Sequence, residues 1–314
     1  GRPEAVYTVE RVIDTAAREM GIDAAEIRRR NMIPQISEPF STGFLFTYDS
    51  GEFEKNMDMT LEMADYDGFE ARRAESAKAG KFRGIGVSNT IERAAAAGIE
   101  AAEIRVDRGG SVTIMAGSCT QGQGHETVFK QIVCDKLGLR PEDVNYVWGD
   151  TDKVAFGHGT GGSRSATLGG SAVTMATDKV IEKARKSAAH QLEAADEDIF
   201  FDEGTFSVAG TDRTVQFTNI ANSASIPGSI PEDMEPGLNE NATYTATVMN
   251  YPNGCHVCEI EIDPDTGVVE ILNYNVVDDV GTVMNPMLLK GQIQGGVAQG
   301  LGQALMEIIS YDSD

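Results

Sequence analysis

The chain has 314 residues, enough to bury a substantial core and to form about two domains. Its 49 acidic and 26 basic side chains give a formal net charge of −23, and so acidic a surface disfavours binding to nucleic acid or to anionic lipid. No apolar run is long enough to span a bilayer, no signal peptide opens the chain, and the four cysteines suit a reducing compartment, so we expect a cytoplasmic protein.

The N-terminal part of the chain predicts mainly helices. Pro3 suits the first turn of a helix that ends near Gly21, and the capping box at Asp23 starts a second, short helix through Arg30. Residues 36–53 form an aromatic, turn-rich loop that we expect to pack or to contact a partner. Further helices are predicted over residues 54–64 and 69–79.

From Phe82 the pattern changes to strands that alternate with helices. Strands are predicted at 84–88, 101–106, 112–115, 144–148, 244–249, 256–262 and 268–277, with 244–249 and 256–262 forming a pair. Helices are predicted at 125–137, 165–192 and 287–308, with a polar connecting region to about residue 240. The order strand, turn, strand, glycine loop and helix occurs around 101–137 and again around 256–308. This predicts an α+β fold of mixed sheets with packed helices and an internal duplication.

Two glycine-rich segments, each at the start of a predicted helix, carry the strongest functional signal. They are Thr120-Gln121-Gly122-Gln123-Gly124-His125 and Gly159-Thr160-Gly161-Gly162-Ser163-Arg164-Ser165. Unpaired N–H groups at a helix N-terminus hold anions, glycine lets the backbone approach a ligand, and glutamine and serine add directional hydrogen bonds. With a third Gln/Gly segment at 295–300, they predict a large, polar, phosphate-bearing cofactor.

Simpler interpretations stay open for each of these segments. The first can be a glycine turn that only caps a helix, and Ser163-Arg164-Ser165 can be an N-cap with a solvated arginine. Gln299 lies in a helix of small apolar residues, where a buried amide needs a partner, which favours a ligand. A generic nucleotide-binding protein is disfavoured, because the chain has no P-loop and no G-x-G-x-x-G motif placed after a strand.

The segment Cys255-His256-Val257-Cys258 has the spacing of a pair of zinc ligands. It lies in a predicted strand, however, where positions three apart face opposite sides of the sheet. No second cysteine pair completes a tetrahedral site. We therefore predict no metal site here.

Several segments, in this order, carry a family resemblance. They are Gly1-Arg2-Pro3-Glu4-Ala5, Arg29-Arg30-Asn31-Met32-Ile33, Tyr48-Asp49-Ser50-Gly51, Gly122-Gln123-Gly124, Gly149-Asp150-Thr151-Asp152, Gly162-Ser163-Arg164-Ser165, Asp263-Pro264-Asp265-Thr266-Gly267, Asn285-Pro286 and Gly291-Gln292-Ile293-Gln294-Gly295-Gly296-Val297-Ala298-Gln299-Gly300. Together they resemble the molybdopterin-binding large subunit of the xanthine dehydrogenase, aldehyde oxidase and aerobic carbon monoxide dehydrogenase family, the molybdenum hydroxylases. The resemblance covers essentially the whole chain.

The resemblance implies a set of residues that hold molybdopterin, as such or as its cytosine dinucleotide. They are Gln121, Gly122, Gln123, Gly124, His125, Thr160, Gly161, Gly162, Ser163, Arg164, Ser165, Ala166 and Gln299. Backbone N–H groups suit its phosphates, and glutamine amides suit the edge of the pterin. It also implies two domains: residues 1–50 as the helical tail and loop of a first molybdopterin-binding subdomain, and residues 51–314 as a second, C-terminally truncated one.

The implied reaction is the oxidative hydroxylation of an aldehyde or an N-heterocycle, with electrons passed to iron–sulfur clusters and flavin. Four cysteines in this arrangement cannot supply the clusters. The implied partners are an iron–sulfur small subunit, an FAD-binding medium subunit and the remainder of the large subunit.

No residue of this chain matches the family's metal-facing arginine loop or its catalytic glutamate. We therefore expect a fragment or a split subunit that is inactive alone, with no catalytic residue and no metal ligand of its own. Two alternatives remain: a large-subunit fragment of an aerobic carbon monoxide dehydrogenase, and a non-catalytic scaffold or assembly domain that binds no cofactor by itself.

Overall fold

The computed structural model describes residues 2–95 and 98–313, so Gly1 and Asp314, where the predicted domains begin and end, lie outside the described residues. The helices are α1 Arg2–Met20, α2 Ala24–Asn31, α3 Phe53–Met63, α4 Phe69–Lys78, α5 His125–Leu137, α6 Gly170–Leu192, α7 Phe217–Ser223 and α8 Pro286–Leu305. The strands are β1 Phe40–Ser41, β2 Thr47–Tyr48, β3 Phe82–Ile91, β4 Gly98–Val106, β5 Val112–Ala116, β6 Val144–Val147, β7 Ile199–Asp202, β8 Thr205–Val208, β9 Thr214–Gln216, β10 Glu240–Ala246, β11 Asn253–Ile262 and β12 Val269–Asp279. Both helices and sheets are present, as the predicted α+β class requires.

The described residues fall into two compact units. The first unit takes its residues from Gly1–Arg93, Asn250–Val283 and Gln294–Asp314, and the second from Ala94–Met249 and Met284–Ile293. The predicted division at residue 50 follows the family's subdomains rather than compactness, and it stays a prediction.

The first unit contains an antiparallel sheet in the order β12-β11-β3. On β11 the side chains alternate: Cys255 and Val257 are fully buried, whereas His256 and Cys258 are only partly covered. Met57 of α3 packs with the buried face, and the Thr60 hydroxyl donates to the carbonyl of Cys255 at 3.3 Å. The two cysteines therefore belong to opposite faces of a strand, as predicted.

The second unit has a sheet in the order β10-β4-β5-β6, in which only β5 and β6 are parallel, joined through α5. Its core lies between this sheet and the helices α5 and α6. The buried face of α6 is made of small residues (Ala172, Val173, Ala176, Val180, Ala184 and Ala188). A Cβ at Gly169, just before α6, would stand 2.9 Å from Ser118 Oγ and 3.0 Å from the ring of Phe129, so a side chain there would force these neighbours to shift.

The same element order occurs in both halves of the sequence. The hairpin β4–β5 is followed by a loop and α5, and the hairpin β11–β12 is followed by a loop and α8. In each case the first strand of the hairpin also pairs with a third antiparallel strand, β10 beside β4 and β3 beside β11. The predicted internal duplication is confirmed at this level.

Two predictions about elements were wrong, and a third is refined. The strand near 244–249 is β10, which pairs with β4 rather than with residues 256–262, because both sides of β11 are occupied by β3 and β12. The supposed polar connection contains the meander β7-β8-β9 and α7, which bury Phe206 and Ile220. The helix predicted over 165–192 is confirmed in its bounds, but its first turn, Ser165–Gly169, is π-helical and α6 follows it directly.

Candidate functional site

The first glycine-rich loop, residues 120–125, connects β5 with α5. Gly122 (φ 102°) and Gly124 (φ 85°) adopt the left-handed conformation that favours glycine. A Cβ at Gly124 would also stand 2.8 Å from the side chain of Leu288. The Gln123 side chain folds back on the loop: its Oε1 accepts from the N–H of Gln121 at 2.5 Å, and its Nε2 donates to Gln121 Oε1 at 2.9 Å.

The N–H groups of this loop are available to a ligand. Within the part of the chain that the structure describes, the backbone N–H groups of residues 122–125 donate no hydrogen bond. They lie at the N-terminus of α5, where the helix dipole adds partial positive charge. The arrangement suits an anionic group without any lysine or arginine.

The second loop, residues 159–166, leads into the π-helical turn before α6. Gly162 (φ 61°) and Ser163 (φ 54°) are consecutive left-handed residues, a conformation that costs a non-glycine residue about 1–2 kcal/mol. Across the described ranges, the N–H groups of residues 161–166 have no hydrogen-bond partner. Single π-helical turns inside α-helices are frequent at functional sites. This loop therefore offers a second row of donors.

The structure brings the two loops together inside the second unit. The Thr160 hydroxyl donates to the carbonyl oxygen of Cys119 at 2.6 Å and lies 3.3 Å from Ser165 Oγ. His125 Nδ1 lies 3.1 Å from the same Cys119 oxygen. The carbonyl that precedes the first loop thus holds both loops.

His125 contributes a neutral ring. Burial lowers its pKa, and the hydrogen bond to the Cys119 carbonyl only partly offsets this. Because that bond requires a proton on Nδ1, Nε2 is left as an acceptor at neutral pH. His125 therefore does not bring positive charge to an anionic ligand.

Arg164 does not have the orientation expected of a phosphate ligand. Its side chain is only 14% exposed, and Nη2 donates to the carbonyl of Ile99 at 2.5 Å and lies 3.4 Å from Glu100 Oε2. The residue belongs to the loop, but its guanidinium is directed at β4. Its predicted contact with the cofactor stays a prediction, with the backbone N–H as the group available.

Gln299 lies on α8 and is exposed, so the expectation of a buried amide was wrong. No residue of α8 is buried among those that the structure describes. The role of Gln299 as a cofactor contact stays a prediction.

Sequence reasoning missed Glu100. It is fully buried on β4, in step with the inward-facing Ala102 and Ile104. The period-2 pattern of this strand was a usable signal, because a glutamate at an inward position is unusual.

A family model described as "Molybdopterin cofactor-binding domain" matches residues 59–314, and a second model with that description matches residues 1–32. The chain belongs to the molybdopterin cofactor-binding domain family. This confirms the family resemblance that the sequence segments carry.

Relatives and solved structures agree with this membership. The chain is 35% identical to the 6-hydroxypseudooxynicotine dehydrogenase complex subunit gamma of Paenarthrobacter nicotinovorans over 319 residues, 100% of this chain and 40% of that protein. It is also 35% identical to the carbon monoxide dehydrogenase large chain of Hydrogenophaga pseudoflava, over 99% of this chain and 40% of that protein. Quinoline 2-oxidoreductase from Pseudomonas putida 86 superposes with a TM-score of 0.88 at 34% identity, over 97% of this chain and 40% of that one. The chain thus spans about 40% of the length of the curated relatives that it matches.

Among residues 2–95 and 98–313, no group of three or more His, Cys, Asp or Glu side chains is placed to hold a metal ion. In the same ranges no helix is both long and apolar enough to cross a membrane.

Proposed function

We propose that this chain is part of the large subunit of a molybdenum hydroxylase and that its two glycine-rich loops hold molybdopterin, as such or as its cytosine dinucleotide. The N–H groups of residues 122–125 and 161–166 donate hydrogen bonds to phosphate oxygens. The amides of Gln121, Gln123 and Gln299 meet the polar edge of the pterin. The cofactor, when bound, supplies the two-electron redox chemistry of oxidative hydroxylation.

The observation that carries the proposal is the pair of loops whose N–H groups have no partner within the described residues. Unpaired N–H groups normally find protein or water partners, and two adjoining rows of them suit a ligand with several anionic oxygens. The loops are tied through Thr160 and Cys119, so the rows form one cradle. The cradle is lined by three glycines in the left-handed conformation, Gly122, Gly124 and Gly162, so no side chain at these positions blocks a ligand. The residues present therefore fit the phosphate part of molybdopterin.

This chain's own contribution is to bind and orient. The neutral His125 and the inward Arg164 leave the cradle without a free cation, so affinity comes from backbone donors and helix ends. The proposed substrate is an aldehyde or an N-heterocycle, and the proposed partners are an iron–sulfur small subunit, an FAD-binding medium subunit and the rest of the large subunit. We propose the cytoplasm as their location.

An alternative is the large subunit of an aerobic carbon monoxide dehydrogenase. The relative named for carbon monoxide and the one named for 6-hydroxypseudooxynicotine are equally similar to this chain, each 35% identical. Assays of the complete protein with carbon monoxide, an aldehyde and an N-heterocycle distinguish the two reactions. The scaffold alternative is tested by whether cofactor binds at all.

The test of cofactor binding is Gln123→Ala in the complete protein that carries this chain. We expect the molybdenum and pterin content to fall while the melting temperature changes little, because a lost hydrogen bond to the pterin edge is worth about 0.5–1.5 kcal/mol of binding free energy. Gln216→Ala is the matched control, since this exposed glutamine donates from Nε2 to the Thr205 hydroxyl at 3.0 Å, in the meander sheet. Unchanged metal and pterin content in Gln123→Ala would remove Gln123 from the site, and a complete protein that never contains pterin would favour the scaffold.

A further inference from the structure

A buried carboxylate lies at the base of the cradle. Glu100 on β4 is 0% exposed, and its Oε1 accepts only a 3.3 Å bond from the N–H of Ala101. Its Oε2 has no hydrogen-bond partner among the described residues. A buried polar group with incomplete hydrogen bonding is costly, which makes the surroundings of this side chain informative.

The carboxylate of Glu100 touches the chain segments that lead into both loops. Gly117 follows β5 just before the first loop, and Gly157 precedes the second. A Cβ at Gly117 would stand 3.0 Å from Glu100 Oε1, and a Cβ at Gly157 would stand 2.9 Å from it. A Cβ on either glycine would also clash with the Cα of the other. Glu100 therefore lies beneath the point where the two segments cross.

The second loop is fastened to the same strand through Arg164. Its Nη2 bonds the carbonyl of Ile99 at 2.5 Å and lies 3.4 Å from Glu100 Oε2, the only charged side chain paired with it in the described ranges. Ser163, which is held at a left-handed φ, receives a 3.2 Å bond at its carbonyl from the N–H of Ala95. A strained conformation persists only where its surroundings fix it, and the contacts of Arg164 with Ile99 and Glu100 and of Ser163 with Ala95 are placed to do so.

We propose that Glu100 is a positioning residue for molybdopterin binding: through the guanidinium of Arg164, it holds residues 161–166 in the conformation that leaves their N–H groups unpaired. The carboxylate does not touch the cofactor. It keeps Arg164 directed at β4, and with it the loop that turns at Gly162 and Ser163. This inference rests on the proposed function.

The experiment is a double-mutant cycle in the complete, cofactor-loaded protein, with Glu100→Gln, Arg164→Gln and the double variant. The release rate of the cofactor is followed by the fluorescence of the freed pterin, with molybdenum content as a second measure. We expect each single variant to release the cofactor about tenfold faster, as loss of a charge-assisted contact implies. We expect the double variant to be no faster than the singles, because the two side chains act as one unit.

Two controls separate positioning from stability. Glu103 lies on the same strand as Glu100, and its carboxylate accepts a 2.6 Å bond from Arg105, away from the loops. We expect Glu103→Gln to release the cofactor at the wild-type rate. Ile220→Ala empties a buried position on α7, and we expect a lower melting temperature with an unchanged release rate. If Glu100→Gln does not fold, Glu100→Asp replaces it in the same cycle, because it withdraws the carboxylate from Arg164 by one methylene.

The outcomes are decisive. Wild-type release rates in the Glu100 and Arg164 variants, or effects that multiply in the double variant, overturn the inference. So does a release rate that follows the melting temperature across all variants, Ile220→Ala included. If Gln123→Ala lowers cofactor content while Glu100→Gln does not, this inference fails and the proposed function stands. If neither variant changes cofactor content or release rate, this inference fails and Gln123 is removed from the site, whereas a complete protein that never contains pterin overturns the proposed function itself.

Discussion

The hydroxyl of Thr160 donates a 2.6 Å hydrogen bond to the carbonyl oxygen of Cys119, and this one contact joins the two glycine-rich loops. The same oxygen lies 3.1 Å from Nδ1 of His125, at the first position of α5. The two loops are far apart in the sequence, so their spacing depends on such contacts. The cradle is therefore organised before a ligand binds, which lowers the entropic cost of binding.

Thr160→Val tests that contact. Valine keeps the shape of threonine but cannot donate, so we expect a loss of about 1 kcal/mol in the free energy of unfolding and a lower cofactor content in the complete protein. Thr211→Val is the matched control, because the Thr211 hydroxyl donates to a backbone carbonyl, Val208, at 3.0 Å in the meander sheet. Urea denaturation and metal analysis check both variants. Equal loss of cofactor in the two variants would contradict a specific role for Thr160.

Gly157→Ala tests the crossing of the two segments. The added Cβ would clash with the Cα of Gly117 and stand 2.9 Å from Glu100 Oε1, so backbone has to shift. We expect the unfolding free energy to fall by about 1–3 kcal/mol, the usual cost of overpacking. Gly109→Ala is the control, because a Cβ there meets nothing within 4 Å. Denaturation midpoints that are equal for the two variants would show that the crossing is not tightly packed.

The two glycine-rich loops could be predicted from the sequence, whereas the buried contacts of Arg164 and Glu100 that support them could not all be. Glycines at the start of two periodic helical segments predict loops such as 120–125 and 159–166, because both the helix and the left-handed turn have local signatures. The inward turn of Arg164 had no such signature, since it depends on Ile99 and Glu100, residues distant in sequence. Glu100 itself could have been found from the alternation of β4.

Strand neighbours were also beyond local reasoning. The residues of β10 predict a strand, but alternation fixes which face is buried and not which strand lies beside it. β10 pairs with β4 through a full register from Glu240 to Ala246. The meander β7-β8-β9 was missed because its short strands are separated by polar turns, so its period-2 stretches are only three or four residues long. The exposure of Gln299 likewise depends on which other residues pack on α8.

The first unit predicts a pH dependence through Glu259. This buried carboxylate accepts bonds from Arg72 Nε at 3.0 Å and Arg83 Nε at 2.7 Å. Burial opposes ionisation, but the hydrogen bonds from Arg72 and Arg83 outweigh it, so the pKa of Glu259 is lowered. A carboxyl with a lowered folded-state pKa stabilises the fold above its unfolded pKa, about 4.3, and this stability is lost as the pH falls through the folded value.

Glu259→Gln should therefore lower stability at pH 7 and flatten its decline between about pH 5 and pH 3. Chemical denaturation across that range measures both effects. Glu75→Gln is the control, because this exposed carboxylate pairs with the exposed Lys78 at 2.6 Å and should leave the profile as in the wild type. A Glu259→Gln profile parallel to that of the wild type would show that the pair with Arg72 and Arg83 does not couple to folding.

The most direct test of cofactor binding is an experimental structure of the complete protein with its cofactor bound. We expect phosphate oxygens within about 2.7–3.2 Å of backbone nitrogens in both loops, 122–125 and 161–166, with the amides of Gln123 and Gln299 facing one ligand. Arg164 should still be directed at Ile99 and Glu100. A cofactor whose phosphates contact neither loop, or a structure with Gln123 and Gln299 on opposite faces of the molecule, would contradict this expectation.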